Sequence, residues 1–371
     1  MTLVRDPTAG QGANGPNSGS RGASPVVSAP MDVEAFCRQS RVLVVAGKGG
    51  VGKTTVTAAL ARLGADRGLD VLIVGLDDAG ALPGLFGQDT TFGYDEVSLY
   101  EAASGGRVRG RVVTPDDALL DYLVEHGLRR VAKRLVSTGV LDVVATAIPG
   151  IREILVLGKV KQLERGGAAD LLVLDAPATG HAVRFLTSAN GLLDAARGGP
   201  LRAQAADVVE MLHDPERCQV LLVTIAEETP VNELIETAYR FEDEVGVMLG
   251  PVVVNACYPL LAHLGADPEA LAQLSGTKPP SPLEARQLRA AAAFRASRQS
   301  VQDEQVGRLE RGLPLPELRL PYLSSADVGP SDVATLSAAL GEAIEALDAA
   351  ELAEALRRVQ PVAAGDGGTA G

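Results

Sequence analysis

Residues 47 to 55 read Gly47-Lys48-Gly49-Gly50-Val51-Gly52-Lys53-Thr54-Thr55. Four glycines allow successive backbone N–H groups to turn inward around a polyphosphate, where a side chain would block the approach. Lys53 supplies a mobile ammonium for the outer phosphates. The Thr54 hydroxyl is a hard oxygen ligand suited to magnesium, and Thr55 is placed to help hold the innermost phosphate. The apolar run Val42-Leu43-Val44-Val45-Ala46 precedes the loop, and a helix-period segment from 54 to about 67 follows it. That is the strand, loop, helix context such a loop requires, and the helix directs its positive end at the same phosphates.

Other polar residues of interest also leave the ends of apolar runs. Leu171-Leu172-Val173-Leu174 ends in Asp175 and continues Ala176-Pro177-Ala178-Thr179-Gly180-His181. A carboxylate at the end of a buried strand can hold magnesium, usually through a coordinated water. The run from 71 to 75 is followed by Leu76-Asp77-Asp78-Ala79-Gly80, where two carboxylates emerge together, and Val252-Val253-Val254 ends in Asn255.

These runs, with those at 220 to 225 and 318 to 320, alternate with helical stretches. Near-continuous apolar strands separated by helices predict an α/β fold, a mostly parallel sheet with helices on both faces. Ligands bind such sheets at the carboxyl ends of the strands, where Lys53, Asp77, Asp175 and Asn255 lie.

Composition narrows the class. A formal net charge of −13 argues against a general nucleic-acid or anionic-membrane binder. Cys37, Cys218 and Cys257 lie far apart with no C-x-x-C pair, and read as buried free thiols. No run approaches the ~20 apolar residues of a membrane span, and the N-terminus lacks a signal-peptide core. The chain is expected in the cytoplasm, with peripheral association through a membrane partner left open. Residues 1–31 and 359–371, rich in Gly, Ala and small polar residues, are expected to be disordered tails. Between them, 32–358 reads as one domain with helical inserts at about 185–213 and 259–311. The stretch 342–360 carries five acidic residues, unlike a basic membrane-anchoring helix.

The string GKGGVGKTT resembles the deviant Walker A motif of the SIMIBI class of P-loop NTPases, the group of ArsA, the tail-anchored-protein targeting factors, MinD, ParA and the nitrogenase iron protein. The resemblance implies ATP and magnesium as ligands and a dimer, in which Lys48 reaches the nucleotide held by the facing subunit. It makes Asp77 the aspartate of a switch I motif that positions the attacking water. Asp78 and Gly80 depart from the family's D-P-A-H pattern, which leaves open slow or partner-dependent hydrolysis. The run D-A-P-A-T-G-H is similar to switch II, with Asp175, Thr179, Gly180 and His181 in matching places. Pro149-Gly150-Ile151-Arg152-Glu153 looks like the P-G-x-x-E segment of the ArsA and targeting-factor branch and makes MinD and ParA less apt. In that branch the asparagine matching Asn255 reads the adenine edge, and an amide, donor and acceptor at once, can match adenine's ring nitrogen and amino group. Pro321 and Tyr322 would complete the base pocket.

The resemblance covers about residues 41 to 345 and is nearest to the actinobacterial paired ArsA-like subunits, to which the segment 196–205 is also similar. It implies a homodimer or a heterodimer with a homologous subunit, acting on an unidentified client. Scattered cysteines argue against a soft metalloid site, and the chain lacks both the zinc clasp and the methionine-rich groove of the eukaryotic targeting factor. The helical stretch 284–311 is expected to turn Phe294, Val301, Val306 and Leu309 into the core, with a client-facing surface as the alternative. Two other functions stay in view: an ATP-holding regulatory subunit that scarcely hydrolyses, and a ParA-like or MinD-like positioning ATPase, which for ParA would need a basic DNA-binding face.

Overall fold

The computed structural model describes residues 30–76, 80–138, 150–349 and 352. In chain order the elements are α1 (Val33–Arg38), β1 (Val42–Gly47), α2 (Lys53–Asp66), β2 (Asp70–Leu76), α3 (Leu82–Leu85), β3 (Val97–Glu101), β4 (Arg107–Val113), α4 (Pro115–Glu125), α5 (Arg129–Thr138) and α6 (Ile151–Arg165). They continue with β5 (Leu171–Ala178), α7 (Thr179–Ala195), α8 (Pro200–His213), β6 (Cys218–Ile225), α9 (Glu228–Arg240), β7 (Met248–Leu249), β8 (Val252–Cys257), α10 (Pro268–Leu274), α11 (Pro282–Gly312), β9 (Glu317–Pro321) and α12 (Pro330–Glu345).

Side-chain alternation along the central strands sets the layers. In β1, Val42, Val44 and Ala46 enter one core and Leu43 and Val45 the other. The same split divides Leu72 and Val74 from Val71 and Ile73 in β2, and Leu172 and Leu174 from Leu171 and Val173 in β5. Both faces are therefore apolar, which is why these strands read as unbroken hydrophobic runs. α4, α6, α7, α8 and α9 cover one face, and α1, α2 and α12 the other. Each fully buried Leu, Ile or Val contributes roughly 1.5–3 kcal/mol of transfer free energy.

The strand order is β3-β4-β2-β5-β1-β6-β8-β9, with β7 also paired to β6. The described strand pairings are parallel except β3 with β4, and an isolated antiparallel bridge joins Pro30 to Asp348. The expected mostly parallel α/β sheet is present. The six expected runs form β1, β2, β5, β6, β8 and β9, while β3, β4 and β7 did not stand out in the sequence. β4 reads Arg-Val-Arg-Gly-Arg-Val-Val, and its arginines hide the run. Arg107 and Arg109 reach Asp70 at 2.6 and 3.1 Å across the β2 pairing, so the charged positions are ion-paired on the sheet.

The stretch 185–213 does not project from the body. Phe185, Leu186, Ala189, Val208 and Met211 of α7 and α8 belong to the main core. α11 behaves differently along its length. Its C-terminal part buries Val306 and Leu309, while Leu283 and Phe294 are 65% and 70% exposed and Val301 is also exposed. Only half of the apolar residues expected in the core from this helix enter it. No helix among the described residues is long and apolar enough to cross a membrane.

Candidate functional site

β1 lies between β5 and β6, and the loop from Lys48 to Gly52 leaves its carboxyl end into α2. A methyl on Gly47 would collide with the Val223 carbonyl of β6, so glycine lets the loop start against the neighbouring strand. Gly52 caps α2 at φ 90°, a left-handed conformation, and no side chain caps the helix. Uncapped N–H groups at the start of a 14-residue helix are suited to receive an anion at its positive end. Gly49 and Gly50 are exposed at the loop's tip, Val51 is buried beneath it, and Lys53, Thr54 and Thr55 form the first turn of α2.

Opposite this turn stands Asp175. The parallel register pairs Val45 with Asp175, which sets the carboxylate level with the end of β1. Its Oδ2 accepts from the Thr54 hydroxyl at 2.8 Å, and its Oδ1 accepts from Thr57 at 3.4 Å. Burial pushes the Asp175 carboxyl up, against the lowering effects of Thr54, the Lys53 charge and Thr57. Burial likewise lowers the Lys53 ammonium, against the raising effect of Asp175. Both groups are biased toward their neutral forms: their mutual attraction falls short of the desolvation they suffer. Lys53 Nζ donates to the Lys48 carbonyl at 3.3 Å, so it is folded back over its own loop.

Lys48, expected to reach outward, pairs within the chain: its Nζ lies 2.6 Å from Glu233 Oε1 on α9, with both side chains partly exposed. Asn255, at the end of β8, donates from Nδ2 to the Val51 carbonyl at 2.9 Å. A methyl on Gly52 would collide with that amide, so the loop and β8 are in direct contact. The next residue, Ala256, sits at φ 57°, a left-handed conformation that costs an alanine roughly 1–2 kcal/mol. Tyr322 follows β9 and packs tilted against Tyr258, with ring centroids 4.9 Å apart.

Asp77 lies outside the described residues, as do Asp78, Ala79 and Pro149. Thr179, Gly180 and His181 open α7 directly after β5. His181 is exposed at a cavity of 390 Å³ lined also by Leu76, Arg152, Pro177, Arg184 and Phe185. Leu76 and Pro177 of that lining belong to the carboxyl ends of β2 and β5. The three cysteine thiols are pushed up by burial, to about 12 for Cys37 and Cys218 and about 11 for Cys257, which leaves them poor nucleophiles at neutral pH.

Several residues at the site escaped the sequence. Thr57 carried a usable signal, since it stands three residues after Thr54 on the same helical face. Glu233 and Gln302, whose partners lie 185 and 46 residues away, carried none.

The anion-transporting ATPase family model matches residues 40–195, from the start of β1 through α7. ATPase BagA of Mycobacterium tuberculosis is 34% identical over 240 residues, covering 63% of this chain and 68% of that protein. The chain belongs to the anion-transporting ATPase family. Within it, the arsenical pump-driving ATPase of Escherichia coli is 31% identical over 194 residues, 52% of this chain and 30% of that protein. The ATPase GET3 of Ajellomyces dermatitidis is 30% identical over 152 residues, 39% of this chain and 42% of that protein. The family match ends at Ala195, so the Asn255 strand and α11 lie beyond it.

Proposed function

We propose that the chain is a magnesium-dependent ATPase acting as a nucleotide switch in a dimer, and that dimer closure is coupled to a client or partner protein. The observation that carries this is the Thr54 hydroxyl on the Asp175 carboxylate at 2.8 Å beside Lys53, at the uncapped start of α2. Residues 32–358 act in this proposal as one ATPase domain.

Magnesium suits the donor set: a threonine hydroxyl and a buried carboxylate are hard oxygen ligands, and the raised Asp175 pKa marks a carboxylate short of positive charge. When bound by Thr54 and, through water, by Asp175, the ion would neutralise charge on the phosphate oxygens. Backbone N–H groups from Gly47 to Thr55 cradle the phosphates, Lys53 turns from the Lys48 carbonyl to the outer ones, and Asn255 faces the base. Asp77 orients the attacking water. Thr179, Gly180 and His181, following Asp175, move with the presence of the γ-phosphate, as order-to-disorder switches do.

Lys48 leaves Glu233 when two subunits meet and reaches the facing nucleotide. A partly exposed pair of this kind contributes only about 0–1 kcal/mol, so the exchange costs little. The second subunit is another copy of this chain or a homologous one. A second reading, a subunit that holds ATP and scarcely hydrolyses it, is favoured by Asp78 and Gly80, which break the switch I pattern after Asp77.

The deciding experiment measures ATP binding and hydrolysis with magnesium for the purified chain and for Lys53→Ala. The expected outcome is turnover in the intact chain, reduced at least about 100-fold in the variant, as when a principal electrostatic contact to the reacting group is removed. Binding without turnover would select the regulatory-subunit reading. Absence of nucleotide binding by the intact chain would overturn both.

A further inference from the structure

One side chain fastens α11 to the end of β8. Gln302 Nε2 donates to the Ala256 carbonyl at 3.0 Å, and its Oε1 accepts from the Tyr258 amide at 2.8 Å. A carboxamide can donate and accept at once, and the two partners fix which end is which. The bonds form where β8 slips register against β9, between Val254 and Cys257, so Gln302 pairs backbone groups at the point where the sheet ladder is interrupted.

The first of those bonds falls on the strained residue. Ala256 at φ 57° holds a conformation that persists only where its surroundings over-determine it, and Gln302 supplies a bond to its own carbonyl. One residue earlier, Asn255 reaches the Val51 carbonyl of the glycine-rich loop. α11 is thus connected to the loop through Gln302, Ala256, Asn255 and Val51. Nearby, Arg295 of the same helix lies 4.0 Å over the Tyr258 ring and donates to the Pro259 carbonyl at 2.8 Å. Arg298 donates to Glu227 at 3.3 Å, at the start of the helix that carries Glu233.

We propose that Gln302 is a positioning residue for base specificity: by holding Ala256 left-handed it aims the Asn255 amide at the base of the bound nucleotide. This rests on the nucleotide-site reading above. The Val51 bond uses one of the two Asn255 N–H donors, and the second N–H with Oδ1 forms the donor and acceptor pair that adenine's N7 and amino group match. Guanine presents acceptors at both positions, so a correctly aimed amide disfavours it. Release of Ala256 frees Asn255 to rotate, and adenine preference falls. Phosphate binding persists, because it is made by the loop and α2.

The test measures dissociation constants for magnesium-ATP, magnesium-GTP and inorganic triphosphate on the intact chain, on Gln302→Met, which keeps the length but removes both bonds, and on Gln302→Glu, which keeps the acceptor for the Tyr258 amide and loses only the bond to the Ala256 carbonyl. The expected result is at least tenfold preference for ATP over GTP in the intact chain. In both variants that preference falls at least fivefold, with triphosphate affinity within twofold of the intact chain. If Gln302→Met does not fold, Gln302→Glu decides alone. An unchanged ATP to GTP ratio in the folded variants overturns the role of Gln302, as does an equal loss for all three ligands. An intact chain that binds ATP and GTP equally overturns the aimed Asn255 and this proposal with it, while leaving the phosphate site standing. Failure to bind ATP and triphosphate alike would instead strike the nucleotide-site reading itself.

Discussion

The two ends of this face are built on different physics. At the glycine-rich loop, the working groups are backbone N–H donors, a helix start and two charges, all within a few residues of a strand whose six residues are all buried. At the end of β8, the geometry depends on side-chain amides: Asn255 on the loop, and Gln302 across 46 residues onto Ala256. The first arrangement follows from local chain geometry and is carried by a short string. The second exists only once α11 has docked, and it stores strain at Ala256 rather than relying on glycine.

Gly52→Ala tests where the two ends touch and should have the largest effect. It forces a methyl into the Asn255 amide and an alanine to φ 90°. The sum of left-handed strain and overpacking is about 2–5 kcal/mol of stability, read as a lowered denaturation midpoint, together with loss of nucleotide binding. A variant that melts like the parent would break the view that loop and β8 are in rigid contact. Next comes Leu309→Ala in the anchored part of α11, with an expected loss of about 2–5 kcal/mol because Leu309 is 1% exposed.

Asp175→Asn sharpens the comparison in the opposite direction. It removes a charge that burial disfavours, so the ligand-free chain should melt slightly higher at neutral pH while magnesium-dependent nucleotide binding is lost. The sign of the pH effect follows from linkage. Above the ordinary carboxylate value of 3.8 the unfolded chain has released a proton that the folded chain still holds, so the contribution of Asp175 makes stability fall as pH rises through its raised value. Melting the parent and Asp175→Asn across this range should show the difference only in the parent. The smallest effect belongs to Phe294→Ser on the exposed part of α11, within about 0.5 kcal/mol in thermal melts. A larger loss would mean that the Phe294 ring itself is packed rather than exposed.

The legibility of the chain follows the same division. β1, β2, β5, β6 and β8 were readable because a sheet covered on both faces needs apolar residues at every position, as Val42 to Val45 display. β4 was not, since Arg107 and Arg109 are neutralised by Asp70 and Arg111 by Glu96, partners that no local pattern reveals. Asp175 opposite Thr54 was expected from a strand ending in a carboxylate, and the parallel register brings the two together. The intramolecular engagement of Lys48 by Glu233 was not, because helix α9 reaches the loop only through the order of strands β1 and β6. Along α11, alanine-rich composition gave no strong periodicity, so nothing distinguished the buried Val306 from the exposed Phe294.

What the sequence by itself determined is the central parallel sheet, the glycine-rich loop with Lys53 and Thr54, and the carboxylate of Asp175. Each depends on residues close in the chain or on burial that dictates residue type. The tertiary structure alone decided that Glu233 holds Lys48, that Asn255 closes on Val51 and that Gln302 holds Ala256 in a left-handed turn. Those contacts join residues 46 to 204 positions apart, and hydrogen bonds over such separations form only after packing has brought the segments together.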